Sequence, residues 1–87
     1  MSVPVLLRGV RMHEDRVRGR WVLLAPERVL KLDEPGRAIL SLVDGTRSIA
    51  VIAETLAERF GAPRERVEAD VQAYLDGLMA RRMVDFA

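Results

Sequence analysis

The sequence predicts an α+β fold: a three-stranded antiparallel sheet followed by three α-helices, winged helix-turn-helix-like in its order. Three observations carry this. Arg20-Trp21-Val22-Leu23-Leu24 and Arg28-Val29-Leu30-Lys31-Leu32 have strand length and strand composition, and fold back on each other at Ala25-Pro26-Glu27. From Asp33 onward the apolar residues recur at helical spacing. Two breaks, Asp44-Gly45 and Gly61-Ala62-Pro63, divide that stretch into three helices.

Val10-Arg11-Met12-His13 reads as the first strand, ending in a charged turn over Glu14-Asp15-Arg16. Residues 1–7 precede it and are expected to be flexible. The second strand follows Gly19, and Pro26, which cannot donate to a ladder, belongs at the turn. In the third strand Leu30 and Leu32 share one face while Val29 and Lys31 point to the other, so this strand is half-buried. Asp33 stands at an N-cap position, with Glu34 and Pro35 in the first turn of a helix whose apolar side is Ala38, Ile39 and Leu42, ended by Asp44-Gly45. Ser48 caps the second helix, where Ile49, Ile52, Ala53, Leu56 and Phe60 make one stripe and Gly61 suits the left-handed C-terminal position. Ala62-Pro63 opens the third, with Val67, Val71, Tyr74, Leu75 and Leu78 on its stripe. Arg81 and Arg82 suit the negative end of its dipole.

At 87 residues, the chain is expected to be one domain over 1–87 with a single modest core. A hydrophobic fraction of 49% beside 31% charged residues marks a globular chain rather than a disordered one. No apolar run approaches the ~18 residues that a membrane span needs, and Met1 to Val10 lacks the apolar block of a secretion signal. A cytoplasmic location with no membrane partner is the default expectation. There is no cysteine, and His13 is the sole histidine. Disulfides, thiolate nucleophiles, cysteine-held metal clusters and a Ser-His-Asp triad are thereby excluded. The paired carboxylates Glu14-Asp15 and Asp33-Glu34, and those along the third helix, read as caps and solvated faces. No enzyme activity, cofactor, metal or catalytic residue is expected.

The second and third helices resemble a helix-turn-helix pair, so a winged-helix DNA-binding protein is the alternative reading. A recognition helix should present Arg, Lys, Asn or Gln to bases and phosphates. Here Glu65, Glu68, Asp70 and Asp76 stand along it, and the net charge is only +1. Nucleic acid is therefore ranked second, and none is expected as a partner. Charge is nonetheless uneven: residues 1–37 hold eight Lys/Arg against five Asp/Glu, while 38–87 hold six against eight.

What remains is the third strand. Few later strands are available to cover its outer edge, and an uncovered edge accepts another strand unless charges such as Arg28 and Lys31 discourage it. A guest peptide added there would lay side chains between this strand and the third helix. Gly77 inside that helix, which costs roughly 1 kcal/mol relative to alanine, fits either close packing against a neighbour or room for a peptide backbone. Met79, on the flank of the helix stripe, could serve such a groove. Trp21 reads as hairpin packing.

Arg8-Gly9-Val10-Arg11, the block from Val17 to Asp33 with its Leu23-Leu24-Ala25-Pro26-Glu27-Arg28-Val29 centre, Ile39-Leu40 with Asp44-Gly45, and Asp70-Val71 closely resemble the PqqD family of pyrroloquinoline quinone (PQQ) biosynthesis. The resemblance implies a non-catalytic peptide chaperone, of the recognition-element kind that serves ribosomally made, modified peptides (RiPPs). It implies two partners: the precursor peptide PqqA, and PqqE, the radical S-adenosylmethionine (SAM) enzyme that cross-links a glutamate and a tyrosine within it. It also implies a peptide site at Arg28, Val29, Leu30, Lys31 and Leu32 together with Asp70, Val71, Tyr74 and Leu75. A monomer and a swapped homodimer are both compatible with it. One departure stands near the end, where Arg81-Arg82-Met83-Val84 replaces the family's more usual glycine.

Overall fold

The computed structural model describes residues 2–87; Met1, the first of the segment expected to be flexible, lies outside them. The chain runs β1 (Pro4–Leu6), β2 (Arg11–Asp15), β3 (Arg20–Ala25), β4 (Arg28–Leu32), α1 (Glu34–Leu40), α2 (Ile49–Phe60), α3 (Arg64–Ala80) and β5 (Val84–Phe86). A three-stranded antiparallel sheet of order β2-β3-β4 packs with three helices, as expected, and β1 and β5 form a separate two-stranded pair.

In the sheet, Met12 pairs with Leu23, Leu23 with Leu30, and Trp21 with Leu32. Alternation puts these residues on one face, where they meet the helices; Leu23 is fully buried. Val22, on the opposite face, is buried as well, with His13 and Lys31 as its cross-strand neighbours. The first turn differs from expectation. Glu14 and Asp15 are in β2, and the turn falls at residues 16–19, where the Asp15 carboxylate accepts the Arg18 N–H at 3.2 Å. A carboxylate able to bind its own turn favours the later site.

Asp33 caps α1 by accepting the Gly36 N–H at 2.8 Å. This helix stops at Leu40, short of the Asp44-Gly45 break. Leu42 and Val43 donate to Ile39 and Leu40 in tighter i→i−3 bonds and remain buried. Ser48 caps α2 through the Val51 N–H at 3.2 Å, and Gly61 ends it at φ 64°. Ile49, Ile52, Ala53 and Leu56 are buried as the stripe requires, whereas Phe60, the last residue of α2, is 63% exposed because the helix ends before the core can cover it. On α3, Val71, Leu75 and Leu78 are buried and Val67 and Tyr74 lie half-buried at the flanks. α3 closes in a Schellman arrangement: Met83 N–H donates to Leu78 C=O at 2.9 Å and Arg82 N–H to Met79 C=O at 3.0 Å. Arg82 adopts φ 58°, so an arginine fills a conformation that glycine takes without strain.

Within the stretch 1–7, the described residues include a strand. Pro4–Leu6 pairs antiparallel with Val84–Phe86, Pro4 opposite Phe86. Leu7 N–H donates to Met83 C=O, Ala87 N–H to Val3 C=O, and Ile49 N–H, at the start of α2, to Ser2 C=O. Pro4, Met83 and Val84 are almost wholly buried, so this pairing is part of the core.

Candidate functional site at the free edge of β4

β4 has one neighbour in the sheet, β3, so its other side is a free edge. The β3–β4 loop is two residues, Pro26 and Glu27, with Ala25 opposite Arg28. In a hairpin closed that way the Ala25–Arg28 pair exchanges both hydrogen bonds, and alternation turns the backbone groups of Val29 and Lys31 to the free side. Leu30 and Leu32 send their side chains to the core, while Arg28, Val29 and Lys31 are exposed, Val29 by 64%. β2 also has a free edge, with Arg11, His13 and Glu14 exposed along it, the charged pattern that discourages pairing.

Beside β4 lies a groove of about 410 Å³ whose other wall is α3. Leu30, Lys31 and Leu32 line one side, Tyr74 and Arg81 the other, with Arg20 and Asp33 at the end where the chain passes into α1. Tyr74 is fixed by its contact with α1: a Cβ placed on Gly36 would lie 2.5 Å from the Tyr74 hydroxyl and 2.9 Å from Asp33 Oδ1. Burial pushes the phenol pKa up and the Asp33 charge adds to the rise, against a smaller opposing pull from Arg81. Tyr74 therefore stays a neutral hydroxyl at physiological pH. Arg20 Nε is buried with no hydrogen-bond partner, and Arg20, Lys31 and Arg81 make no salt bridge among the described residues.

Of the residues singled out in the sequence, the groove brings together Leu30, Lys31, Leu32 and Tyr74; Arg28 and Val29 continue the same edge. Val71 and Leu75 are core residues, almost without exposure, and hold α3 in place from beneath. Asp70 is exposed and borders a different depression of about 170 Å³ between the helices, with Pro35, Ile39, Phe60 and Val67. Met79 lines a hollow beside Leu7 and Val84 instead of this groove. A Cβ at Gly77 would meet open space, which removes the close-packing explanation. Arg20, Asp33 and Arg81 were not singled out for the groove, although two signals pointed to them. Arg81 follows Tyr74 by seven residues, which returns a helix to the same face, and Arg20 and Asp33 each adjoin one member of the last β3–β4 pair, Trp21 and Leu32.

Among the described residues no group of three His, Cys, Asp or Glu side chains could hold a metal ion, and no helix is long and apolar enough to cross a membrane. The family model described as Coenzyme PQQ synthesis protein D (PqqD) matches residues 20–84, a span containing both walls of the groove. The chain belongs to the PqqD family. A PqqA binding protein of Rhizobium meliloti (strain 1021) is 48% identical over 84 residues, covering 97% of this chain and 86% of the relative. A PqqA binding protein of Xanthomonas axonopodis pv. citri (strain 306) is 47% identical over 83 residues, covering 95% and 90%. Among solved structures, the PqqD truncation of Methylobacterium extorquens PqqCD, described as a functional, stand-alone RiPP recognition element, matches with a TM-score of 0.82 at 43% identity, over 95% of this chain and 88% of that one. The crystal structure of PqqD from Xanthomonas campestris matches with a TM-score of 0.62 at 45% identity, over 90% and 87%. These names describe binding and recognition, and this member of the family is a non-catalytic protein of PQQ biosynthesis.

Proposed function

We propose that this PqqD-family protein binds the precursor peptide PqqA as an added strand on β4 and presents it in the cytoplasm to the radical SAM enzyme PqqE. The observation that carries this reading is the unpaired edge of β4 lying alongside a groove lined by Leu30, Leu32 and Tyr74. The relatives named as PqqA binding proteins supply the identity of the guest. Arg28 to Leu32 would meet the guest's backbone and Tyr74 its side chains, with Asp70, four residues before Tyr74 on α3, extending the contact beyond the groove, while Val71 and Leu75 support that flank from the core. Each main-chain hydrogen bond contributes about 1 kcal/mol net, so a short added strand needs groove contacts as well to bind tightly. Both walls come from one chain, so a monomer suffices. Delivery, not chemistry, is then the contribution: a tethered peptide reaches effective concentrations of order millimolar at the enzyme. Carboxylates on the exposed side of α3, including Glu68 paired to Arg64 and Asp76 bonded to Gln72, weigh against a nucleic-acid guest.

The test is a titration of isotopically labelled protein with synthetic PqqA. Amide resonances of Arg28 to Leu32 and of α3 around Tyr74 are expected to shift. Shifts confined to α1 and α2 would reject strand addition on β4.

A further inference from the structure

The β4–α3 groove carries more positive charge than a purely apolar guest would need. Arg20, Lys31 and Arg81 all line it, and none is paired in a salt bridge among the described residues. One carboxylate, Asp33, faces them there, and its Oδ1 already accepts the Gly36 N–H. Asp15 lies near enough to Arg20 to feel its charge, but spends both oxygens on Arg18. Arg20 Nε is a buried donor without an acceptor, in a side chain that is itself only partly buried. A buried donor of a charged group left unbonded is a cost that an incoming anion would remove. Tyr74 adds a neutral hydroxyl donor on the same wall.

We propose that the groove recognises a carboxylate of the guest peptide, bound near the Asp33 end of β4 by Arg20, Lys31 and Arg81 with the Tyr74 hydroxyl. This rests on the strand-addition reading above and specifies which chemistry the groove selects. Carboxylates are the only groups that an unmodified ribosomal peptide carries as anions near neutral pH. The source is an Asp or Glu side chain or the peptide's C-terminus, and Arg in a partly buried wall suits either through paired N–H donors.

The experiment uses synthetic PqqA, versions in which each Asp or Glu is replaced in turn by its amide, and a version amidated at the C-terminus. Each is titrated into the full chain and into its Arg81→Gln variant, recording affinity and the β4 amide shifts together. Arg81 is exposed and makes no salt bridge, so Arg81→Gln keeps the fold. One neutralised peptide is expected to lose about tenfold in affinity for the unaltered protein, with a much smaller loss on Arg81→Gln. Which peptide does so separates the side chain from the terminus as source. Arg20→Gln should reproduce the effect. If every neutralised peptide binds within about twofold of PqqA while β4 amides still shift, the carboxylate assignment is overturned and strand addition stands. If PqqA leaves the β4 amides unmoved, strand addition fails and this inference fails with it.

Discussion

The hydroxyl of Tyr74 rests on the backbone of Gly36, so that α3 and the start of α1 are in contact at a point where no side chain fits. Asp33 holds the same glycine through its N–H, which brings the cap of α1, the end of β4 and the groove wall to one place.

Gly36→Ala should therefore move Tyr74 rather than simply improve helix propensity. A Cβ 2.5 Å from the hydroxyl demands a shift, and overpacking of this kind costs about 1–3 kcal/mol. Chemical denaturation is expected to show that loss, together with weaker PqqA binding. Adding Tyr74→Phe, which deletes the clashing oxygen, should restore part of the stability, so the two changes should be non-additive.

Val29→Pro should leave the protein folded and weaken PqqA binding. Position 29 turns its N–H away from β3, which is where an edge strand tolerates proline. Leu30→Pro, whose N–H serves the hairpin, should instead unfold the sheet. Circular dichroism separates the two variants. Unchanged affinity in a folded Val29→Pro protein would count against strand addition at this edge.

Arg82→Gly should stabilise the protein by about 1 kcal/mol, because φ 58° strains any residue with a Cβ. For a domain of this size that is about 4–8 °C in Tm. An unchanged Tm would show that the arginine side chain compensates the strain.

Gly77→Ala should also stabilise, by up to about 1 kcal/mol, since the new methyl meets no neighbour and the helix gains propensity. A simultaneous loss of PqqA affinity would indicate that the peptide approaches the helix there.

The Asp44 carboxyl accepts the N–H groups of Arg47 and Thr46 and the Thr46 hydroxyl, which hold its pKa down at about 2. The folded value lies below the unfolded one. Its stabilising contribution is therefore fully present above pH ~4 and is lost as the pH falls from there through 2. Denaturant titrations of Asp44→Asn between those limits should show a shallower acid loss than the unaltered chain.

Features set by neighbouring residues were legible in the sequence. Asp33, Ser48 and Gly61 cap helices because the groups they satisfy lie within a few positions, and Pro26 with alternating Leu30 and Leu32 defined the hairpin. The β1–β5 pair was not legible, because each strand has three residues and its partner lies some eighty positions away. Nothing local distinguishes such a strand from a loop. Phe60 fits the period of α2 but falls beyond the reach of its neighbours, so periodicity alone overstated its burial. Within the groove, the facing of Leu30 and Leu32 and the stripe position of Tyr74 followed from pattern, and their place in a peptide site from the family resemblance. Val71 and Leu75 belong to the expected site through the family resemblance, although their side chains point wholly inward. The role of Gly36 was not legible, since it depends on a side chain almost forty positions later.

The pairing of Pro4 with Phe86 joins the beginning and the end of the chain into something close to a ring. A protein attached upstream and one attached downstream would join the domain at neighbouring strands. For whatever is tethered to this domain, the order in which the two are encoded is then nearly immaterial: front and back share one address.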